Sequence, residues 1–317
     1  MTGHTVQEQL KVASELLRQK GIKDARLDAR LLLQHAMACS HSDLISRNSD
    51  LLPIDQEEAH QALVRRRANG EPVYRIIGRR EFRGNLFEVT PEVLDPRAET
   101  ELLIDEVVAD FDSETGLRFL DVGTGTGVIG ITLLKLFPLS SCLAVDVSNA
   151  ALRVADRNAA CNDVSPRFRT VQSDYFSEIN EQFDIIIANP PYVRSSEIAA
   201  LDIEVKRHDP QIALDGGTDG LDAYRAIFSQ AKSHLRADGK IYVEIGFDQL
   251  ECCKRLALDL GWTVLRSKND FAGLPRILVL EKAENKVRQG DIHSVRRKSL
   301  ESGVETDSFD NVLGRRL

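Results

Sequence analysis

Residues 121–130 read DVGTGTGVIG. They continue the apolar run LRFLDV (117–122) and open the helical stretch GVIGITLLKLF. Strand, glycine turn and helix in that order describe a chain that reverses tightly at the edge of a sheet. Gly123, Gly125 and Gly127 let the backbone turn and pass close to a ligand, with the N–H groups of the helix start facing it. The arrangement predicts a nucleotide-type site at the carboxyl end of a first strand.

Outward from that turn, strand candidates alternate with helical stretches. They are CLAVDV (142–147), RFRTV (167–171), FDIIIA (183–188), KIYVEI (240–245), WTVLRS (262–267) and RILVLEK (276–282). Apolar runs of this kind, separated by segments such as NAALRVADRNAAC, predict a parallel, doubly wound α/β sheet covered on both faces. Its ligands are expected at the carboxyl ends of the strands.

Toward the N-terminus the period changes. Val6, Leu10, Ala13, Leu16 and Leu17, and then Leu27, Leu31 and Leu32, fall at helical spacing. Residues 1–75 are expected to form a small helical domain. In residues 79–96, RREFRGNLFEVTPEVLDP, two short β-type runs flank Gly84-Asn85, which predicts a hairpin linker over 76–96. The α/β domain then spans 97–282. Residues 283–317 mix charges with Gly and Ser and show no apolar period, so a disordered tail is expected.

The whole chain of 317 residues is 42% hydrophobic, enough for a large and a small core. A net charge of -8 argues against a general nucleic-acid coat. No basic n-region with an apolar core and no long apolar span is present, so a cytoplasmic protein without membrane contact is expected. Five cysteines without a CxxC or a nearby His predict reduced thiols and no metal.

The glycine turn alone leaves the ligand open. Gly125, Gly127 and Gly130 also satisfy the GxGxxG of a nicotinamide-binding fold, and Asp146, ending the second strand, suits a ribose in either case. Asp174 in QSDYF is placed for an adenine amino group, with Tyr175 available to pack on the ring. Asp95-Pro96 reads equally as an N-cap with Pro at the first helical position or as part of a site mouth with Arg97 and Glu99. DGGTDGL (215–221) is divided between an active-site loop and a plain glycine turn.

The fourth strand runs into Asn189, Pro190, Pro191 and Tyr192 at the same rim. A planar nitrogen group, an amide or an aromatic amine, is a poor nucleophile because its lone pair is delocalised. The Asn189 side-chain carbonyl and the Pro190 backbone carbonyl supply two acceptors for its N–H bonds. Two prolines hold the turn rigid, and Tyr192 can stack on the planar group.

Together EPVYRIIGRREFRGNLFEV (71–89), VLDPRAETELLID (93–105), DVGTGTG, SDYF, NPPY, DPQIALDGGTDGLDAYR (209–225) and FAGLPRILVL (271–280) resemble the HemK/PrmC family of protein-glutamine methyltransferases. The resemblance covers about residues 5–281. It implies a class I S-adenosylmethionine-dependent fold, a Rossmann-like seven-stranded sheet with a small N-terminal helical domain. It also implies methyl transfer from S-adenosylmethionine to the side-chain amide of the glutamine in the GGQ motif of class I peptide release factors. Carried onto this sequence, Gly123, Thr124, Gly125, Thr126, Gly127, Asp146, Tyr175 and Asn189 would contact the cofactor, and Asn189, Pro190, Pro191 and Tyr192 the glutamine. The helical domain would grip the release factor, with no stable nucleic-acid binding.

Two positions depart from the family pattern: Ala98 where a proline is usual, and His208-Asp209-Pro210 where a Tyr-Glu-Pro-like run is usual. Loss of that proline is expected to loosen a loop near the cofactor. Rival readings are an adenine-N6 nucleic-acid methyltransferase, an NAD-dependent oxidoreductase and a non-catalytic binding module.

Overall fold

In a computed structural model of the chain, residues 4–283 are described. The first part is helical: α1 Val6–Gln19, α2 Ala25–Met37, α3 His41–Ser46, α4 Ile54–Ala68 and α5 Val73–Ile77. Helix α1 starts where sequence chemistry dictates. The Thr5 hydroxyl accepts from Glu8 N–H, and the Glu8 carboxylate accepts from Thr5 N–H, a reciprocal cap. Val6, Ala13 and Leu17 of the anticipated stripe are buried, whereas Leu16 and Leu27 stand at its edge, each 38% exposed.

Strands β1 Arg79–Phe82 and β2 Asn85–Glu88 form the expected antiparallel hairpin. Its turn is Arg83-Gly84, both at positive φ, so Asn85 belongs to the strand rather than to the turn. Helix α6 Glu101–Asp110 follows, entered through a 3-10 turn over Ala98–Thr100. The Asp95 N-cap reading is thereby corrected: the Asp95 carboxylate accepts from Arg80 at 2.9 Å, six residues ahead of the helix.

The sheet is built from β3 Arg118–Val122, β4 Ser141–Asp146, β5 Phe168–Gln172, β6 Phe183–Ala188, β7 Leu235–Glu244, β8 Trp262–Asn269 and β9 Pro275–Lys282. Between them run α7 Val128–Leu136, α8 Asn149–Cys161, α9 Ile203–His208, α10 Asp222–His234 and α11 Leu250–Asp259. The strand order is β5-β4-β3-β6-β7-β9-β8. Five neighbouring strands are parallel, but β9 runs antiparallel to both β7 and β8, so the fully parallel expectation is corrected at one edge. The cause is local: β8 and β9 are joined through Asp270–Leu274 with no crossover helix, and a short connection can only make an antiparallel pair.

Alternate residues of the central strands fill two cores. Phe119, Ile185 and Ile187 pack against α6, α7 and α8, while Leu120, Ile186 and Ala188 pack toward α10 and α11. The hairpin is pinned to the larger part by α8. Asn158 accepts from Glu88 N–H at 2.7 Å and donates to the Glu88 carbonyl, and Asn162 donates to the Leu86 carbonyl. No helix among the described residues is long and apolar enough to cross a membrane. The expectation for residues 283–317 lies, beyond Ala283, outside the described residues.

Candidate active site

Four strands end at one rim. Val122 of β3 is level with Val145 of β4 and Ala188 of β6, and Asp146 is level with Gln172 of β5. The glycine turn, Asp146, the Ser173–Tyr175 segment and Asn189 therefore converge. They line a cavity of about 320 Å³, within the range of small-molecule sites.

Gly123, Thr124, Gly125, Thr126, Asp146, Asp174, Tyr175, Asn189 and Pro191 line this cavity. Gly127 does not. It sits at the start of α7 with φ +80°, and a Cβ there would stand 2.7 Å from Ile131 Cδ1 and 3.2 Å from Ala155 Cβ. Its constraint is the packing of α7 on α8. Gly123 and Gly125 differ: both have positive φ, and a Cβ on either would meet no protein atom within 4 Å. The backbone there is left bare for whatever the cavity holds.

Asp146 organises the turn. Its carboxylate accepts Gly125 N–H at 3.0 Å and Ser148 N–H at 2.9 Å. Burial raises its pKa and those N–H groups oppose the rise. Thr124 turns its hydroxyl inward to Asp121, whose carboxyl burial pushes up to about 6.

A second cavity of about 370 Å³ lies beside the first and shares Leu94, Arg97, Asn189 and Ala213 with it. Pro190, Tyr192, Glu244, Phe247 and Arg276 are among its walls. Asn189 stands where the two cavities meet. Its Nδ2 donates to Thr100 Oγ1 at 3.1 Å, and Thr100 donates to Glu244 Oε2 at 2.7 Å. Among the described residues nothing donates to Asn189 Oδ1 or to the Pro190 carbonyl. Two acceptors are thus free at the junction. Burial, then the nearby Glu244 charge, pushes the Tyr192 phenol up to about 12, so its ring stays neutral against the cavity.

Behind NPPY, sequence reasoning missed Gln249 and left the 215–221 segment divided between two readings. Gln249, 2% exposed, donates to the carbonyls of Tyr192 and Gly220 at 2.9 and 3.2 Å. Gly216 packs so closely that a Cβ would lie 2.8 Å from the Pro191 oxygen. The 215–221 segment is therefore a support for the turn, with Asp215 also reaching the first cavity. The Asp209 carboxylate accepts from Arg97 at 2.5 Å and from Arg75 at 2.9 Å. Ala98, exposed at the start of the 3-10 turn, leaves that turn formed.

Residues 8–78 match the family described as "PrmC N-terminal domain", and residues 94–204 the "Methyltransferase small domain". The "Release factor glutamine methyltransferase" of Agrobacterium fabrum is 39% identical over 282 residues, 88% of this chain and 98% of that protein. The protein of the same description from Cereibacter sphaeroides is 41% identical, over 88% of this chain and 95% of its own. The chain belongs to the release factor glutamine methyltransferase family. In fold, it is similar to a crystal structure of a methyltransferase from Pyrococcus furiosus, with TM-score 0.50, 19% identity and coverage of 71% and 98%.

A release factor glutamine methyltransferase uses S-adenosylmethionine, and the first cavity fits that group. Its bare glycine wall and the Asp146 and Asp174 carboxylates suit a nucleoside, while Val145, Val147 and Ile129 give an apolar bed. The NAD reading is set aside by the same family membership.

Proposed function

We propose that the enzyme transfers a methyl group to the side-chain amide nitrogen of the glutamine in the GGQ motif of class I peptide release factors. The observation that carries the reading is the pair of unpartnered acceptors, Asn189 Oδ1 and the Pro190 carbonyl, at the junction of two cavities. Gly123–Thr126, Asp146, Asp174 and Tyr175 hold the cofactor in one. The glutamine enters the other and lays its amide against Tyr192. When bound, S-adenosylmethionine supplies an electrophilic methyl group on a sulfonium.

The two carbonyls accept both N–H bonds of the amide, orient its nitrogen toward the neighbouring cavity and favour the positive charge that grows on nitrogen. Pro190 and Pro191 keep that geometry fixed between turnovers. The nitrogen would gain the methyl carbon as the sulfur–methyl bond breaks to leave a neutral thioether, and would give one proton to water, so no strong base is needed, and proximity supplies most of the rate. Residues 1–75 grip the folded release factor, 76–96 link, and 97–282 carry the chemistry, in the cytoplasm where translation ends.

The test is transfer from labelled S-adenosylmethionine to an intact release factor, to the same factor with its GGQ glutamine changed to alanine, and to duplex DNA and bulk RNA. Label on the intact factor alone is expected. Label on nucleic acid instead would assign the turn to an adenine amine.

A further inference from the structure

Helix α6 opens without a side-chain cap, although Thr100 occupies its N-cap position. The hydroxyl is diverted: it donates to Glu244 Oε2 and receives Asn189 Nδ2. Thr100 is 2% exposed and Glu244 1%, so neither can trade its partner for water. Thr100 lines the cofactor cavity and Glu244 the substrate cavity, and the two bonds link Asn189 through Thr100 to Glu244.

The direction of these bonds is dictated by charge. An ionised carboxylate only accepts, so Thr100 must give its single O–H proton to Glu244. Its oxygen then has only lone pairs for Asn189. The amide must turn its NH2 toward Thr100 and its Oδ1 away. A protonated Glu244 could instead donate to Thr100, freeing the hydroxyl proton for Asn189 Oδ1 and letting the amide reverse.

We propose that Thr100 and Glu244 are positioning residues for methyl transfer, a two-bond relay that holds Asn189 with its carbonyl facing the acceptor nitrogen. The role in transfer rests on the function proposed above. The orientation of the amide does not.

The groups that face Glu244 are Arg97 and Glu99 ahead of α6, Tyr192 from the β6 exit, Arg276 from β9, and Tyr224 of α10, which donates to the Glu244 backbone carbonyl at 3.0 Å. Burial pushes the Glu244 carboxyl up to about 7; Thr100 works against the rise, Glu99 adds to it, and Arg276 and Arg97 oppose it. The relay therefore keeps its sense above that value and loses it as the pH falls through it.

Three variants separate orientation from bulk. T100V keeps shape and removes the hydroxyl, T100S keeps the hydroxyl, and E244Q keeps shape but no longer dictates direction. The Asn189 side-chain NH2 signals are read by nitrogen-15 NMR on the full chain without ligands, assigned by their loss in N189A. Steady-state kinetics on a release factor is read in parallel.

T100V is expected to shift the NH2 signals and lower kcat about tenfold or more, with KM for S-adenosylmethionine held within about twofold. T100S is expected to restore both. In the wild type the signals should move with pH around 7, and kcat should fall on the acid side. E244Q should remove both responses.

An unmoved amide signal with wild-type kcat in T100V would overturn the proposal, as would T100S being as impaired as T100V. Should T100V not fold, Asn189 NH2 signals in E244Q that coincide with those of the wild type at roughly pH 8.5, where Glu244 is ionised, contradict the relay without it. Absence of any transfer to glutamine by the wild type would refute the proposed function, while the amide signals would still decide the orientation.

Discussion

Arg75 of helix α5 donates from Nη2 to Asp209 Oδ1 at 2.9 Å, across 134 residues of sequence. The side chains are only 4% and 3% exposed, so this is a buried ion pair joining the helical segment to the loop after α9. That loop carries Pro210, Ile212 and Ala213 into the wall of the first cavity. Asp209 also receives Arg97, which lines both cavities. One carboxylate thus ties the helical part to the mouth of the site.

Removing that carboxylate leaves the buried Arg75 guanidinium without its counter-ion, with Nη2 still donating to the Val93 carbonyl and, among the described residues, no partner for Nε or Nη1. D209A is expected to lower unfolding stability by about 3 kcal/mol or more, measured by denaturant titration. R97A should cost less, because its side chain is 35% exposed. Equal stability of D209A and wild type would show that the pair carries no weight.

Gly216 and Gly84 make a matched contrast. A Cβ at Gly216 would strike backbone, the Pro191 oxygen at 2.8 Å and Tyr192 Cα at 2.9 Å. G216A is expected to displace the NPPY turn and reduce turnover on the order of tenfold or more, since small misplacements of reacting groups are costly. At Gly84 a Cβ meets open space but φ is +74°. G84A should cost about 1 kcal/mol of stability and leave turnover at the wild-type level. Equal turnover in the two variants would remove the Gly216 support from the account.

Glu244 has a stability consequence of definite sign. Its folded pKa is raised from the ordinary 4.5 to about 7. Between those values the unfolded chain has released a proton that the folded chain keeps, so this group's contribution to stability falls as the pH rises through that window. E244Q removes the cost. At pH above both values it is expected to be more stable than wild type, by up to the order of 3 kcal/mol, and below both values to match it. Thermal unfolding of both proteins at the two extremes decides this; a variant no more stable at the alkaline end contradicts the buried, ionised state assigned to Glu244.

Much of the fold was legible because it is written in local periods. LRFLDV, FDIIIA and their companions mark all seven strands of the sheet within a few residues, and DVGTGTG and NPPY fall where a strand's carboxyl end demands a turn. What the period could not express is pairing direction, and so β9 was expected to be parallel. The Arg83-Gly84 turn was displaced by one residue because Asn85 is as good a turn former as Gly84. The supports of the site were harder to read for a different reason: Thr100, Glu244 and Gln249 act through contacts made by residues distant in sequence, and the same kind of contact at Gly216 is what decides the divided reading of 215–221. Glu244 left one trace, a carboxylate inside the apolar run KIYVEI, where a buried strand has no other use for a charge.

The most direct measurement is single-turnover methylation of a release factor by wild type and N189A at saturating S-adenosylmethionine, with cofactor affinity measured separately by calorimetry. The account predicts that losing one of two amide acceptors slows transfer on the order of 100-fold or more while the variant still binds cofactor. Unchanged transfer in N189A would contradict the claim that the Asn189 carbonyl holds the reacting amide.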